Sequence, residues 1–187
     1  MNVYDFDKTI YKRDSTVDFY FFELRRHLSL LRYFPHQLVG FFRYFIGNID
    51  ITAMKNYFYC FLQGIDDIDK ELQLFWDKNI SDVHKWYLDR HRDDDLVISA
   101  SPQFLVEAAC KRLGISRVIA SEVDPKSGKV LSPNCNKAQK VVRMKAAGYD
   151  TNDINEFYSD SHHDDPLASL ALKAWLVKGE QLVEWDK

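Results

Sequence analysis

Glycine is scarce, seven in 187 residues. No Gly-x-Gly-x-x-Gly or Gly-x-x-x-x-Gly-Lys run occurs, so a glycine-rich loop cradling a nucleotide is excluded, and no Gly-x-Ser-x-Gly elbow of the usual serine hydrolases is present. The three cysteines, Cys60, Cys110 and Cys135, are odd in number and widely spaced. They suggest neither a disulfide framework nor a cysteine zinc site, and a reducing compartment fits them. Neither sign of charge dominates: 25 Lys and Arg against 28 Asp and Glu leave −3, so nucleic acid is not an expected partner. The most apolar stretch, 28–49, carries Arg32, Pro35, His36 and Arg43, which are costly in a bilayer. The first residues, MNVYDFDKT, lack the basic and apolar runs of a signal peptide. A cytoplasmic location is the expectation. Hydrophobic residues at 46% and charged residues at 28% are ordinary for a globular chain with one core and a modest insertion.

The order of patterns predicts an α/β fold. Met1–Phe6 reads as a short strand that runs into a polar loop. From about Thr16 to Arg92 the apolar spacing is helical, for three or four helices, and 14 aromatics fall between Phe19 and Phe61. Strands and helices then alternate: a strand at Leu96–Ala100, a helix from Pro102 to about Leu113, a strand at Arg117–Val123 and a hairpin over 124–132. A helix at Asn136–Ala147, a strand at Ile154–Ser159, a helix at Pro166–Leu172 and a last short strand at Trp175–Lys178 follow. Alternation of this kind implies a Rossmann-like parallel sheet with helices on both faces and ligands at the carboxyl ends of its strands. The expected division is a core of residues 1–11 and 93–187 with an all-helical cap, 12–92, inserted between.

Polar groups gather at those strand ends: Asp5 with Asp7, Ser99 with Ser101, Lys140 or Lys137 at a helix start, and Asp160 with Asp164. Residues two apart on a strand share a side, so Asp5 and Asp7 raise each other's pKa unless a cation intervenes. A third carboxylate, Asp160, makes a hard-oxygen site suited to magnesium. Carboxylates, a lysine and a serine hydroxyl are what phosphoryl transfer requires, since that chemistry is chiefly positioning and neutralisation of anionic oxygens.

DFDKT at Asp5–Thr9, LVISAS at Leu96–Ser101, a downstream lysine and YSDSHHDDP at Tyr158–Pro166 resemble, in order, the four motifs of the haloacid dehalogenase superfamily. The helical stretch between the first two motifs is similar to the cap of its phosphoserine phosphatase-like branch. ISASPQFLVEA, PNCNKAQKV and YSDSHHDDPL resemble, more narrowly, a branch that includes phosphatidylglycerophosphatase C. The resemblance implies that Asp5 is a nucleophile forming an aspartyl-phosphate and that Asp7 protonates the leaving alcohol, then activates water. It implies that Ser99 and the amides of Ala100 and Ser101 hold phosphoryl oxygens. It also implies that Asp5, the backbone carbonyl of Asp7 and Asp160 bind magnesium, with Asp164 assisting. Both Lys140 with Met144 and Lys137 with Val141 match the family lysine, and Lys140 fits the branch spacing better. Asp14 stands where phosphoserine phosphatases place a substrate-reading glutamate, and its shorter side chain argues against phosphoserine.

The expected activity is phosphomonoester hydrolysis, on a small phosphorylated metabolite, phosphoserine being the named possibility, or on a lipid phosphate such as phosphatidylglycerophosphate. A phosphotransferase using the same aspartyl-phosphate and a catalytically inactive binding module are the alternatives. The aromatic run has two readings, core packing of the cap or an amphipathic face with Arg25, Arg26, Arg32 and Arg43 that rests on a membrane surface. His162 and His163 read as a solvated loop, with contact to substrate as the alternative.

Overall fold

The computed structural model describes residues 1–186. Six strands form one sheet in the order β3-β2-β1-β4-β5-β6: β1 (Asn2–Tyr4), β2 (Leu96–Pro102), β3 (Arg117–Ser121), β4 (Glu156–Ser159), β5 (Lys173–Lys178) and β6 (Gln181–Glu184). The first five are parallel, as the alternation of strands and helices predicts. β6 corrects the expectation that the strand before Lys178 is the last. It returns antiparallel through Gly179 and covers the edge of β5.

Period-two alternation sorts the central strands onto two faces. Tyr4, Phe6, Val97 and Tyr158 belong to one buried cluster, whereas Val3, Leu96, Ile98 and Phe157 belong to the other. The second face is closed by Met144 of α7 (Ala138–Ala146) and Leu167 of α8 (Asp165–Ala168). The first is closed by α6 (Gln103–Arg112) through Leu105, Val106 and Ala109, and by helices from the 12–92 segment. There Trp76 of α4 (Ile68–Asn79) is fully buried and its Nε1 donates to the Leu105 carbonyl at 2.9 Å. Tyr4 and Tyr158, direct neighbours in the β1–β4 register, stack at 4.6 Å, with Trp86 of α5 (Lys85–Leu88) 5.3 Å from Tyr158. Each such pair is worth roughly 1 kcal/mol beyond area burial.

Helix starts in the 12–92 segment follow from aspartates. Asp14 caps α1 (Ser15–Arg26), Asp50 caps α3 (Ile51–Phe58) and Asp67 caps α4, each accepting from a backbone N–H three residues on. α2 (Phe34–Phe45) crosses α3 at Gly40, where a Cβ would stand 2.2 Å from Tyr57 Cβ; only glycine permits the approach. α1 and α4 lie against α6, while α2 and α3 reach over the strand ends.

The 124–132 hairpin is short: one bridge, Val123 to Val130, flanked by Asp124 N–H to Lys129 O and Leu131 N–H to Glu122 O, each 2.9 Å, with Asp124 Oδ1 accepting from the Lys126 and Ser127 amides in the turn. One local expectation is corrected. The helix after Pro166 lasts one turn, since residues from Lys173 join the sheet as β5. No helix among the described residues is long and apolar enough to cross a membrane.

Candidate active site

β1 and β4 both end at one cleft of about 530 Å³. Asp5 continues β1, its N–H donating to Tyr158 O at 2.9 Å, and Asp160 follows β4. Asp164 sits in the loop beyond, and its Oδ2 accepts from Ser159 Oγ at 2.8 Å. The lysine that α7 directs inward is Lys140, 2% exposed, whose Nζ donates to Asp5 Oδ1 and to Asp164 Oδ2, each at 2.6 Å. Lys137 precedes the helix with φ 49° and is exposed.

Asp7 is held by two elements. Its Oδ1 accepts from the Ser15 N–H at the start of α1 (2.8 Å) and its Oδ2 from Ser101 Oγ, which also meets Thr16 Oγ1 at 2.7 Å. The serines of the second strand divide their work. Ser99 is buried and does not line the cleft; its Oγ accepts from the Ser101 N–H at 3.1 Å. Ala100 and Ser101 do line it. Asp14 reaches the cleft edge, yet its Oδ1 is engaged in capping α1 at Val17 N–H.

Burial is the leading cause of every carboxylate shift here. It pushes Asp5 up to about 7, against the lowering pull of Lys140 and with a further rise from Asp164. Asp7 is pushed up to about 6 by burial and the charge of Asp14, opposed by its bonds from Ser101 and Ser15. Asp160 is raised by burial, with Lys8 opposing. Burial works against the Lys140 ammonium, but Asp5 and Asp164 together hold its pKa above the ordinary value. Five aspartates line the cleft against three lysines, Lys8, Lys55 and Lys140.

Sequence reasoning missed Lys55. From α3 it donates to Ala100 O (2.6 Å) and Asn134 Oδ1 (2.7 Å), and burial pulls it down to about 8 although Asp7 and Asp14 favour its charge. Ser121 Oγ completes this network 2.9 Å from Ala100 O and 3.0 Å from Asn134 Oδ1. Lys55 lies in a helix whose spacing carries no motif, so no local signal marks it. Opposite the charged floor the wall is apolar: Val17, Phe41, Ile51, Met54 and Phe58. The aromatic run divides accordingly. Phe19, Tyr20, Tyr59 and Phe61 are core, whereas α2 presents Phe34, Phe42 and Phe45 to solvent, Phe45 at 88% exposure.

The family model of haloacid dehalogenase-like hydrolases matches residues 3–169, a span that includes all of these strand ends. The chain belongs to that family. No curated protein matches it. Among solved structures, this hydrolase shares its fold with a protein of unknown function from Bordetella pertussis Tohama I. The two are 18% identical with a TM-score of 0.73, over 93% of this chain and 87% of that one. A phosphoserine phosphohydrolase-like protein from Francisella tularensis subsp. tularensis SCHU S4 is 13% identical with a TM-score of 0.55, over 93% and 86%. At these identities the likeness is one of fold. The hydrolase thus places carboxylates and a buried lysine at the carboxyl end of a parallel sheet, where its fold class binds ligands.

Proposed function

We propose that the protein is a magnesium-dependent phosphatase that hydrolyses a phosphomonoester through a phosphoenzyme formed on Asp5. One observation carries the reading: Asp5 and Asp7 face one cleft, the first paired with a buried ammonium and the second with its pKa pushed up to about 6. An Asp5 oxygen attacks phosphorus, and the bond to the leaving oxygen breaks as Asp7 gives that oxygen its proton. Asp7, now ionised, takes a proton from water; the water oxygen attacks phosphorus and Asp5 leaves as carboxylate with release of phosphate. Lys140 orients Asp5 and balances phosphoryl charge, and the Ala100–Ser101 segment faces the phosphoryl group.

The donor set fits magnesium. Asp5 and Asp160 offer hard carboxylate oxygens at one cleft, and burial raises the pKa of both, a cost of ionisation that a divalent ion would relieve. Those two and the carbonyl of Asp7 would hold the ion, with Asp164 fixing Lys140 beside it. When bound, magnesium supplies the positive charge that keeps Asp5 ionised and neutralises the phosphoryl oxygens.

Residues 12–92 act as the cap, with α2 and α3 shielding the reaction from water and choosing the substrate. The apolar wall continues through Phe41 onto the exposed face of α2, beside Arg32 and Arg43, so the favoured substrate is an amphiphilic lipid phosphate taken from an anionic membrane surface. The engagement of Asp14 as a helix cap supports this over phosphoserine. Hydrolysis of an aryl phosphate with and without chelator tests the chemistry; undiminished activity in Asp5→Asn overturns it. Phosphate appearing on an added alcohol instead of in water makes the protein a phosphotransferase. Short-chain lipid phosphates compared with phosphoserine, with and without anionic vesicles, test the substrate. Phe42→Ser with Phe45→Ser should lower turnover of the vesicle-borne lipid and spare the aryl phosphate; equal loss on both refutes the membrane reading.

A further inference from the structure

Away from the cleft, two helices bring three metal-type donors together. Glu23 lies in the last turn of α1 and His27 caps that end of the helix, its N–H donating to the Glu23 carbonyl at 2.8 Å, and Glu71 approaches from the first turn of α4. His27 Nε2 lies 3.9 Å from Glu23 Oε2 and 3.8 Å from Glu71 Oε1. Among the described residues this is the one set of three acidic, histidine or cysteine side chains whose donor atoms all fall within 4.8 Å of one another. Tetrahedral zinc with its ordinary ligand bonds separates its donors by ~3.4 Å, so small side-chain adjustments close the set.

A second observation is independent of that spacing. Glu23 is 0% exposed, and no N–H or hydroxyl donor of the protein reaches either of its carboxylate oxygens, which face the Glu71 carboxylate instead. A buried carboxylate without a partner is strongly disfavoured unless it is neutralised or coordinates a cation. The neighbouring guanidinium does not serve it: Arg26 Nε and its terminal nitrogen donate to Glu71, at 2.9 and 3.2 Å. Arg26 therefore orients Glu71 from outside the cluster, as outer partners of metal ligands do. The His27 side chain is 41% exposed and leaves an entry path.

The geometry points to a divalent transition-metal site, suited to zinc, held by Glu23, His27 and Glu71 and separate from the strand-end cleft. One imidazole and two carboxylates with a fourth position left to water match zinc's preferences better than those of magnesium. The ion clamps α1 to α4. Because the Ser15 N–H at the other end of α1 holds Asp7, the clamp also stiffens a helix that positions the cleft.

The test uses the full chain, stripped of metal by chelator and kept in excess Mg2+, titrated with Zn2+ by calorimetry and with Co2+ by visible absorption. The wild type should bind one Zn2+ per chain, show the intense Co2+ bands of a low-coordinate site and gain in Tm. Glu23→Gln and His27→Asn should each weaken Zn2+ binding by roughly 10-fold or more and lose the Tm gain, while aryl phosphate hydrolysis reports that they remain folded. Overlapping Zn2+ isotherms for variants and wild type overturn the proposal. So does a Glu23→Gln protein that is more stable than wild type while neither responds to Zn2+, for then Glu23 is simply protonated against Glu71.

Discussion

Asp5→Asn should abolish hydrolysis and yet stabilise the metal-free protein, and the size of the gain should depend on pH. Burial raises Asp5 from an ordinary 3.8 to about 7 even with Lys140 beside it. A carboxyl whose folded pKa is raised binds more protons folded than unfolded between those values. Its contribution to stability is therefore greatest at low pH and is lost as pH rises through the folded pKa. At ~1.4 kcal/mol per pKa unit, the gap amounts to ~4 kcal/mol, an upper limit on what the ionised group costs above pH ~8. Asparagine keeps the shape and an oxygen for Lys140 Nζ, now 2.6 Å away, without the charge. Urea unfolding in chelator should show the variant more stable than wild type by ~1–4 kcal/mol at pH 8, with the difference shrinking towards pH 4. Added magnesium should narrow or reverse that order by binding the wild type more tightly. A variant less stable than wild type at pH 8, or a difference indifferent to pH, refutes the electrostatic account of the cleft.

Three further outcomes are expected. Lys140→Met leaves Asp5 and Asp164 buried without their cation and should cost ~3–5 kcal/mol at pH 8 by denaturant unfolding; a loss under ~1 kcal/mol means the pair is not coupled through it. Asp7→Asn should lower kcat by ~10²–10⁴ and remove the limb near pH 6 from the kcat/KM profile, which reports the free protein's groups; a retained limb assigns that titration elsewhere. Gly40→Ala should lower stability by ~1–3 kcal/mol in thermal unfolding, because the added Cβ collides with Tyr57 at the α2–α3 crossing; an unchanged Tm contradicts the close approach.

The parallel sheet was legible because its central strands β1, β2 and β4 are almost wholly buried apolar runs and α6 and α7 repeat their apolar positions at helical spacing, properties local to a few residues. β6 escaped because Gln181–Glu184 is a short edge with three of four residues exposed, so it has little apolar pattern to read. Within the cleft, Asp5, Asp7, Asp160 and Asp164 were legible because strand ends are where chain order predicts convergence. Lys55 was not, because its partners, Ala100 and Asn134, are 45 and 79 residues away and nothing near it in the chain differs from an ordinary helical lysine. Ser99 shows the reverse: its motif position is clear, yet its side chain is buried away from the cleft lining, where its Oγ accepts from the Ser101 amide.

Sequence alone determined the fold class, the family motifs and the carboxylates that meet at the strand ends, since periodicity and short motifs are set by neighbours along the chain. Tertiary structure decided which lysine enters the cleft, which aromatics are core and which face solvent, and that Glu23, His27 and Glu71 meet. Those outcomes depend on burial and on contacts between distant segments, which exist only once α1, α3, α4 and α7 have docked around the sheet.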